Sequence, residues 1–95
     1  MHFYDDTTLQ GESIKKFLCK CYLNISLTTY KLDDYKQSKS ACDEVLRMDP
    51  SNSKAYYRRA KARLAPVHAG ALEQEEALHD LSVAMKLNSS SCEVR

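Results

Sequence analysis

The chain repeats itself at a spacing of 34 residues: Tyr22 recurs as Tyr56, the position of Asn24 becomes Arg58, and that of Ser26 becomes Ala60. Pro50 stands between the two copies and ends a helix there, because the residue ahead of a proline is pushed out of the helical region. Self-similarity of this period marks a unit of two helices and a turn, which hides its apolar face only by stacking on a neighbour. The period predicts an all-α scaffold of stacked helix pairs. Function is then to be sought on a surface rather than at a nucleophile in a pocket.

Hydrophobic spacing sets four helices on that period. Ile14, Phe17, Leu18, Cys21, Tyr22, Ile25 and Leu32 recur at intervals of three, four and seven and predict a first helix from about Glu12 to Lys31, with this stripe facing the core. Asp33-Asp34 breaks the pattern, and Tyr35, Ser38, Cys42, Val45 and Leu46 form a second stripe that stops before Asp49-Pro50. Ser51-Asn52-Ser53 offers N-cap chemistry to a third helix, about Lys54 to Leu64, with Tyr56, Ala60 and Leu64 inward. Pro66 and Gly70 mark a turn. A fourth helix, about Leu72 to Leu87, is expected to bury Ala77, Leu78, Leu81, Ala84 and Met85 and to fade into Asn88 and the serines that follow. The resulting division is a linker over 1–11, repeats over 12–50 and 51–87, and a polar tail over 88–95. From Tyr56 to Ala77 is 21 residues, against 16 from Tyr22 to Ser38, so about five extra residues fall within Ala65 to Glu76.

Composition narrows the function classes. A chain of 95 residues makes one small domain, and 14 basic against 13 acidic residues leave a net charge of +1. No global field draws such a chain to nucleic acid or to an anionic membrane, so neither is an expected partner. No basic stretch followed by an apolar run opens the sequence, and no run of 18 apolar residues occurs, so a cytoplasmic or nuclear location is expected. Cys19 and Cys21 diverge around a helix and Cys42 lies on an apolar stripe, so free thiols are expected rather than a disulfide framework. With no CxxC or HxxxH spacing and no glycine-rich phosphate loop, neither a metal nor a cofactor is expected. His68 and His79 read as surface residues, Tyr22, Tyr35, Tyr56 and Tyr57 as mainly core, and Glu73, Glu75, Glu76 and Asp80 as lining a helix exterior.

The densest chemistry is on the third helix. Lys54, Arg58, Arg59, Lys61 and Arg63 are five basic side chains with no acidic one among them. Lys54 and Arg58, four apart, project from one face, and Asn24 holds the position of Arg58 in the preceding repeat, so stacking turns all three toward the same concave groove. A guanidinium fork, an ammonium and an amide together suit carboxylates. Lys20 and Lys61 are further candidate groove contacts. The plainer reading is a solvated basic face, partly neutralised by the acidic run from Glu73 to Asp80.

Over Phe17 to Leu87, and most of all in YLNISLTTYKLDDY and VLRMDPSNSKAYYRRAKA, the chain resembles the clamp-type tetratricopeptide domains of co-chaperones. Large immunophilins and aryl-hydrocarbon-receptor-interacting proteins are the nearest of these in motif. The resemblance implies tetratricopeptide helix-turn-helix repeats, about four antiparallel helices in a right-handed solenoid, and a groove for the acidic Glu-Glu-Val-Asp tail of heat-shock protein 90 or 70. By motif position Asn24, Lys54 and Arg58 match three clamp residues, and no catalytic residue is implied. The family's other two clamp residues, on a preceding repeat, have no counterpart here, which suggests a piece of a longer array whose parent carries a prolyl-isomerase domain upstream. The rival expectation is structural: an exposed repeat edge that mediates self-association or docking to another helical protein.

Overall fold

The computed structural model describes the backbone of residues 9–94 and the side chains of residues 11–88. Four helices follow one another: α1 (Leu9–Lys31), α2 (Tyr35–Met48), α3 (Ser53–Leu64) and α4 (Ala71–Val94), with no strand among the described residues. α1 packs on α2, α2 on α3 and α3 on α4, and α1 also touches α3. This is the all-α, tetratricopeptide-type architecture of two helix-turn-helix units. None of the described helices is long and apolar enough to cross a membrane.

The turns are fixed by local chemistry. At the end of α1, Asp33 adopts a positive φ of 65°, Asp34 N–H donates to Thr29 O at 2.8 Å and Asp33 N–H to Tyr30 O at 3.0 Å. These two bonds cap the last carbonyls of the helix in the manner usually built around glycine. Asp34 then caps α2 by accepting from Gln37 N–H, and Asn52 caps α3 by accepting from Ala55 N–H at 3.0 Å. The loop between α3 and α4 occupies residues 65–70, against 32–34 between α1 and α2. The rest of the expansion is an additional turn at the start of α4.

Small residues let the helices approach. Ser26, Ser38, Ala60 and Ala77, the small positions of the two repeats, are all buried. Between α1 and α2 the contact is polar but satisfied: Ser38 Oγ donates to Ser26 O at 2.9 Å, and Ser26 Oγ lies 3.2 Å from Cys42 Sγ. Cys19, Cys42, Val45 and Ala55 form the apolar centre, flanked by Tyr22, Leu23, Leu46 and Met48. Burial pushes the Cys42 and Cys19 thiols up from their ordinary value, which disfavours the thiolate.

Several expectations are corrected. Most of the stripe chosen from apolar spacing faces outward: Ile14, Phe17, Leu18, Ile25 and Leu32 are exposed, and of its members only Cys21 and Tyr22 are half-buried, whereas Cys19 and Ser26, outside the stripe, are buried and Leu23 is half-buried. The close approach at Ser26 fixes the rotation of α1, and the bulkier residues are left on the far side. Leu64, Leu78 and Met85 are likewise exposed rather than inward, and Tyr57 is exposed while Tyr22, Tyr35 and Tyr56 are half-buried. α1 begins at Leu9, inside the expected linker, whose residues 1–8 lie outside the described residues. α4 continues through the expected tail to Val94, since no proline or glycine follows Leu87 to stop it. His68 and His79 are exposed, as read from the sequence.

Candidate functional site

The five basic side chains of α3 divide between two faces. Arg59 turns toward α2 and α4, where Nη2 and Nε donate to the two Asp80 carboxylate oxygens at 2.8 and 3.0 Å and Nη1 donates to Asp43 at 2.8 Å. Asp80 is only 2% exposed, which overturns its reading as part of a helix exterior. Arg63 joins from the next turn, with Nε 3.2 Å from Asp80 Oδ2 and Nη1 paired with Glu73 and Glu76. Its Nε lies off the line of a hydrogen bond, so that contact is an ion pair alone. The Asp80 carboxylate, followed by that of Asp43, holds Arg59 firmly in its charged form.

Lys54, Arg58 and Lys61, at spacings of four and three, share the opposite face, which looks toward α1. Arg58 reaches across, its Nη1 donating to Leu23 O at 2.7 Å. That bond uses one of its five N–H donors and leaves the rest of the fork for a ligand. Lys61 Nζ sits 5.1 Å from the centre of the Tyr30 ring and 5.6 Å from that of Tyr57, two cation–π contacts that hold the ammonium at the groove wall.

Two adjoining recesses result. The first, about 180 Å³, is lined by Ser26, Leu27, Tyr30, Tyr57, Arg58 and Lys61, with Ser38 at its floor. The second, about 610 Å³, is lined on the α1 side by Lys15, Lys16, Lys20 and Leu23 and on the other by Met48, Asn52 and Lys54. Arg58 and Lys61 therefore share one recess, and Lys20 and Lys54 the other. Asn24 is exposed on α1 beside Leu23 and lines neither recess. Among the described residues no carboxylate pairs with Lys54, Arg58 or Lys61. The arrangement offers a strip of positive charge with aromatic and aliphatic walls, suited to an extended acidic segment carrying at least one apolar side chain.

Sequence reasoning missed the walls and, apart from Lys20, the second basic bank. Tyr57 stands three residues after Lys54 and four before Lys61, so its place on that face was readable from spacing. Lys16, Lys20, Asn24 and Leu27, at intervals of four, four and three, trace the matching stripe on α1. The separation of Arg59 and Arg63 from the groove was legible only in part. It depends on a carboxylate 21 residues downstream of Arg59 entering the core.

No protein-family model matches the chain, and no solved structure matches it. Among proteins of known name, FK506-binding protein 59 of Drosophila melanogaster is 35% identical over 81 residues, 85% of this chain and 17% of that protein. Sperm-associated antigen 1 of Homo sapiens is 34% identical over 77 residues, 81% of this chain and 8% of that protein. The chain thus spans less than a fifth of either relative. Both similarities extend over more than four fifths of the chain, in keeping with a tetratricopeptide-type domain shared by longer proteins.

Proposed function

We propose that this chain is a protein-interaction module of an immunophilin-like co-chaperone, and that its α1–α3 groove holds the acidic C-terminal tail of heat-shock protein 90 or 70. The observation that carries this reading is the sorting of charge on α3: Arg59 and Arg63 are neutralised by Asp43, Glu73, Glu76 and Asp80, while Lys54, Arg58 and Lys61 face α1 without acidic partners among the described residues. Arg58 would take a carboxylate through its fork, Lys54 and Lys61 would add charge from the turns on either side, and Asn24 would bond the peptide backbone at the rim. Lys20 would flank the same path. The peptide's apolar residue would rest on Leu27 and Tyr57. The mechanism is capture without turnover, and such partners suit a cytoplasmic or nuclear protein. The motif resemblance and the similarity to FK506-binding protein 59 both support the reading.

Isothermal titration with a pentapeptide ending in Glu-Glu-Val-Asp, free and C-terminally amidated, tests it. Saturable binding that amidation abolishes is the expected result. Arg58→Ala is expected to lose about 1.5–3 kcal/mol of binding, the range for a hydrogen bond to a charged group. Because Arg58 also donates to Leu23, the urea midpoint of the variant is to be measured beside its affinity. Equal affinity in the two proteins would sink the assignment.

A second reading, self-association, is favoured by the outward face of α1. Ile14, Leu18, Cys21, Ile25, Thr28 and Leu32 alternate by four and three, the spacing of a helix–helix seam, and the ten residues from Cys21 to Tyr30 include no charge. On this reading sedimentation velocity finds an average mass that rises with concentration, and Leu18→Gln/Ile25→Gln returns the chain to a monomer. A monomer at every concentration would remove the idea.

A further inference from the structure

We infer that the second recess is a separate subsite for a cluster of carboxylates lying upstream in the same acidic peptide, so that the groove reads two blocks of negative charge rather than one. The inference rests on the proposed capture of an acidic tail. It adds a second determinant, held by residues outside the resemblance to the clamp: Lys15, Lys16 and Lys20 on α1.

Three observations meet there. First, four ammonium groups converge from two helices, Lys15, Lys16 and Lys20 from α1 and Lys54 from α3, around the wider recess of about 610 Å³. Glu12 and Asp49 also line it, yet four positive charges against two negative leave an excess of about two. Glu12 pairs only loosely with Lys15, at 3.7 Å, and Asp49 is occupied at its own turn, accepting from Ser51 Oγ and Asn52 Nδ2. Among the described residues Lys16, Lys20 and Lys54 have no ion-pair partner.

Second, the N-terminus of the 12-residue α3 opens here. Asn52, which caps it, lines the recess, and Lys54 stands in the first turn, so the positive end of the helix dipole adds to the lysines. Third, the recess lies next to the proposed capture site along the same two helices. Leu23, on its wall, is the residue whose carbonyl Arg58 holds from the neighbouring recess at 2.7 Å. Along α3 the path from Lys61 to Lys54 covers seven residues, roughly 10 Å at 1.5 Å per residue. From Leu27 to Lys16 on α1 is eleven residues, roughly 16 Å. An extended peptide advances about 3.3 Å per residue. An acidic block three to five residues before the group held beside Lys61 and Leu27 therefore comes opposite the lysines. Cys19, Leu23 and Met48 supply an apolar floor for the stems of the intervening side chains.

The test uses the chain as it is and two longer peptides, each ending in Glu-Glu-Val-Asp: one with acidic residues four and five positions before the C-terminal residue, the other with glutamine and asparagine there. Each is titrated with a free and with an amidated C-terminus, beside the pentapeptide. At about 0.05 M salt the acidic upstream block is expected to tighten binding about three- to tenfold, the effect of a few exposed ion pairs. The gain is expected with either C-terminus. Lys15→Gln/Lys16→Gln, changes on the exposed surface of α1, is expected to remove the gain and to weaken the pentapeptide by a smaller factor than the acidic longer peptide. Equal affinity for the two longer peptides would overturn the subsite and leave the capture reading to be judged by its own response to amidation. A gain that survives Lys15→Gln/Lys16→Gln would overturn the assignment to α1. Absence of binding by every peptide to a folded chain would overturn both.

Discussion

Asp80 accepts from Nε and Nη2 of Arg59 and lies 3.2 Å from Arg63 Nε, so one carboxylate turns two of the five basic side chains of α3 away from α1. The cost of taking Asp80 out of water is met by a bidentate guanidinium and a second cation, an arrangement in which deleting one partner hurts more than the pair itself contributes. Both arginines keep some contact with water and have other partners in Asp43, Glu73 and Glu76, which softens the loss. Asp80→Asn is expected to destabilise the fold by about 1–3 kcal/mol, the scale of a charged group left partly unsatisfied. Urea unfolding followed by circular dichroism checks it. An unchanged midpoint would mean that Arg59 and Arg63 settle equally well on the surface carboxylates. If the sorting of charge on α3 depends on Asp80, the same variant also alters the salt dependence of peptide binding.

At the level of the helices, the decisive contact is the one between α1 and α2 at Ser26, Ser38 and Cys42. Ser26 has the same repeat position as Ala60, and both are fully buried. Ser26→Ala is therefore expected to cost only about 1 kcal/mol, for the hydrogen bonds lost, while Ser26→Leu costs about 1–3 kcal/mol more through overpacking. Thermal unfolding of the two variants separates them, and a Leu variant as stable as the Ala variant would show that α1 can shift away from α2. This contact also explains how far the sequence could be read. The helices, their turns and the small positions were legible because a 34-residue repeat, an Asp-Asp break, Pro50 and Asn52 each have one local meaning. Which way α1 faces was not. Ile14, Leu18 and Ile25 give the stronger apolar periodicity, but the buried face is the one that carries Cys19 and Ser26, chosen by the width of the gap between two backbones. Periodicity reports where apolar residues are, and close packing selects which of them enter the core. Lys54 and Arg58 could be set on one face from spacing alone. The division of Arg59 and Arg63 from them required knowing that Asp80 enters the core.

Across the whole molecule the net charge of +1 conceals two regions of different electrostatic character. The α1–α3 groove collects Lys15, Lys16, Lys20, Lys54, Arg58 and Lys61, most of them exposed, whereas the interface of α2, α3 and α4 holds opposite charges in close, partly buried contact. Salt discriminates between them. Going from about 0.01 M to about 1 M ionic strength shortens the screening length from about 30 Å to about 3 Å, which removes most of the attraction of an open basic groove for an acidic peptide. The pair of Arg59 with the buried Asp80, at 2.8 Å, is screened much less. Over that range peptide affinity is expected to fall more than tenfold while the urea midpoint changes little. Relief of repulsion among the lysines of the groove acts, if at all, to raise that midpoint. Parallel titrations and unfolding curves at four or five salt concentrations make the comparison. A steep fall of stability with salt would instead mean that the fold relies on exposed ion pairs. A peptide affinity indifferent to salt would mean that apolar contact with Leu27 and Tyr57, rather than the basic strip, supplies the binding.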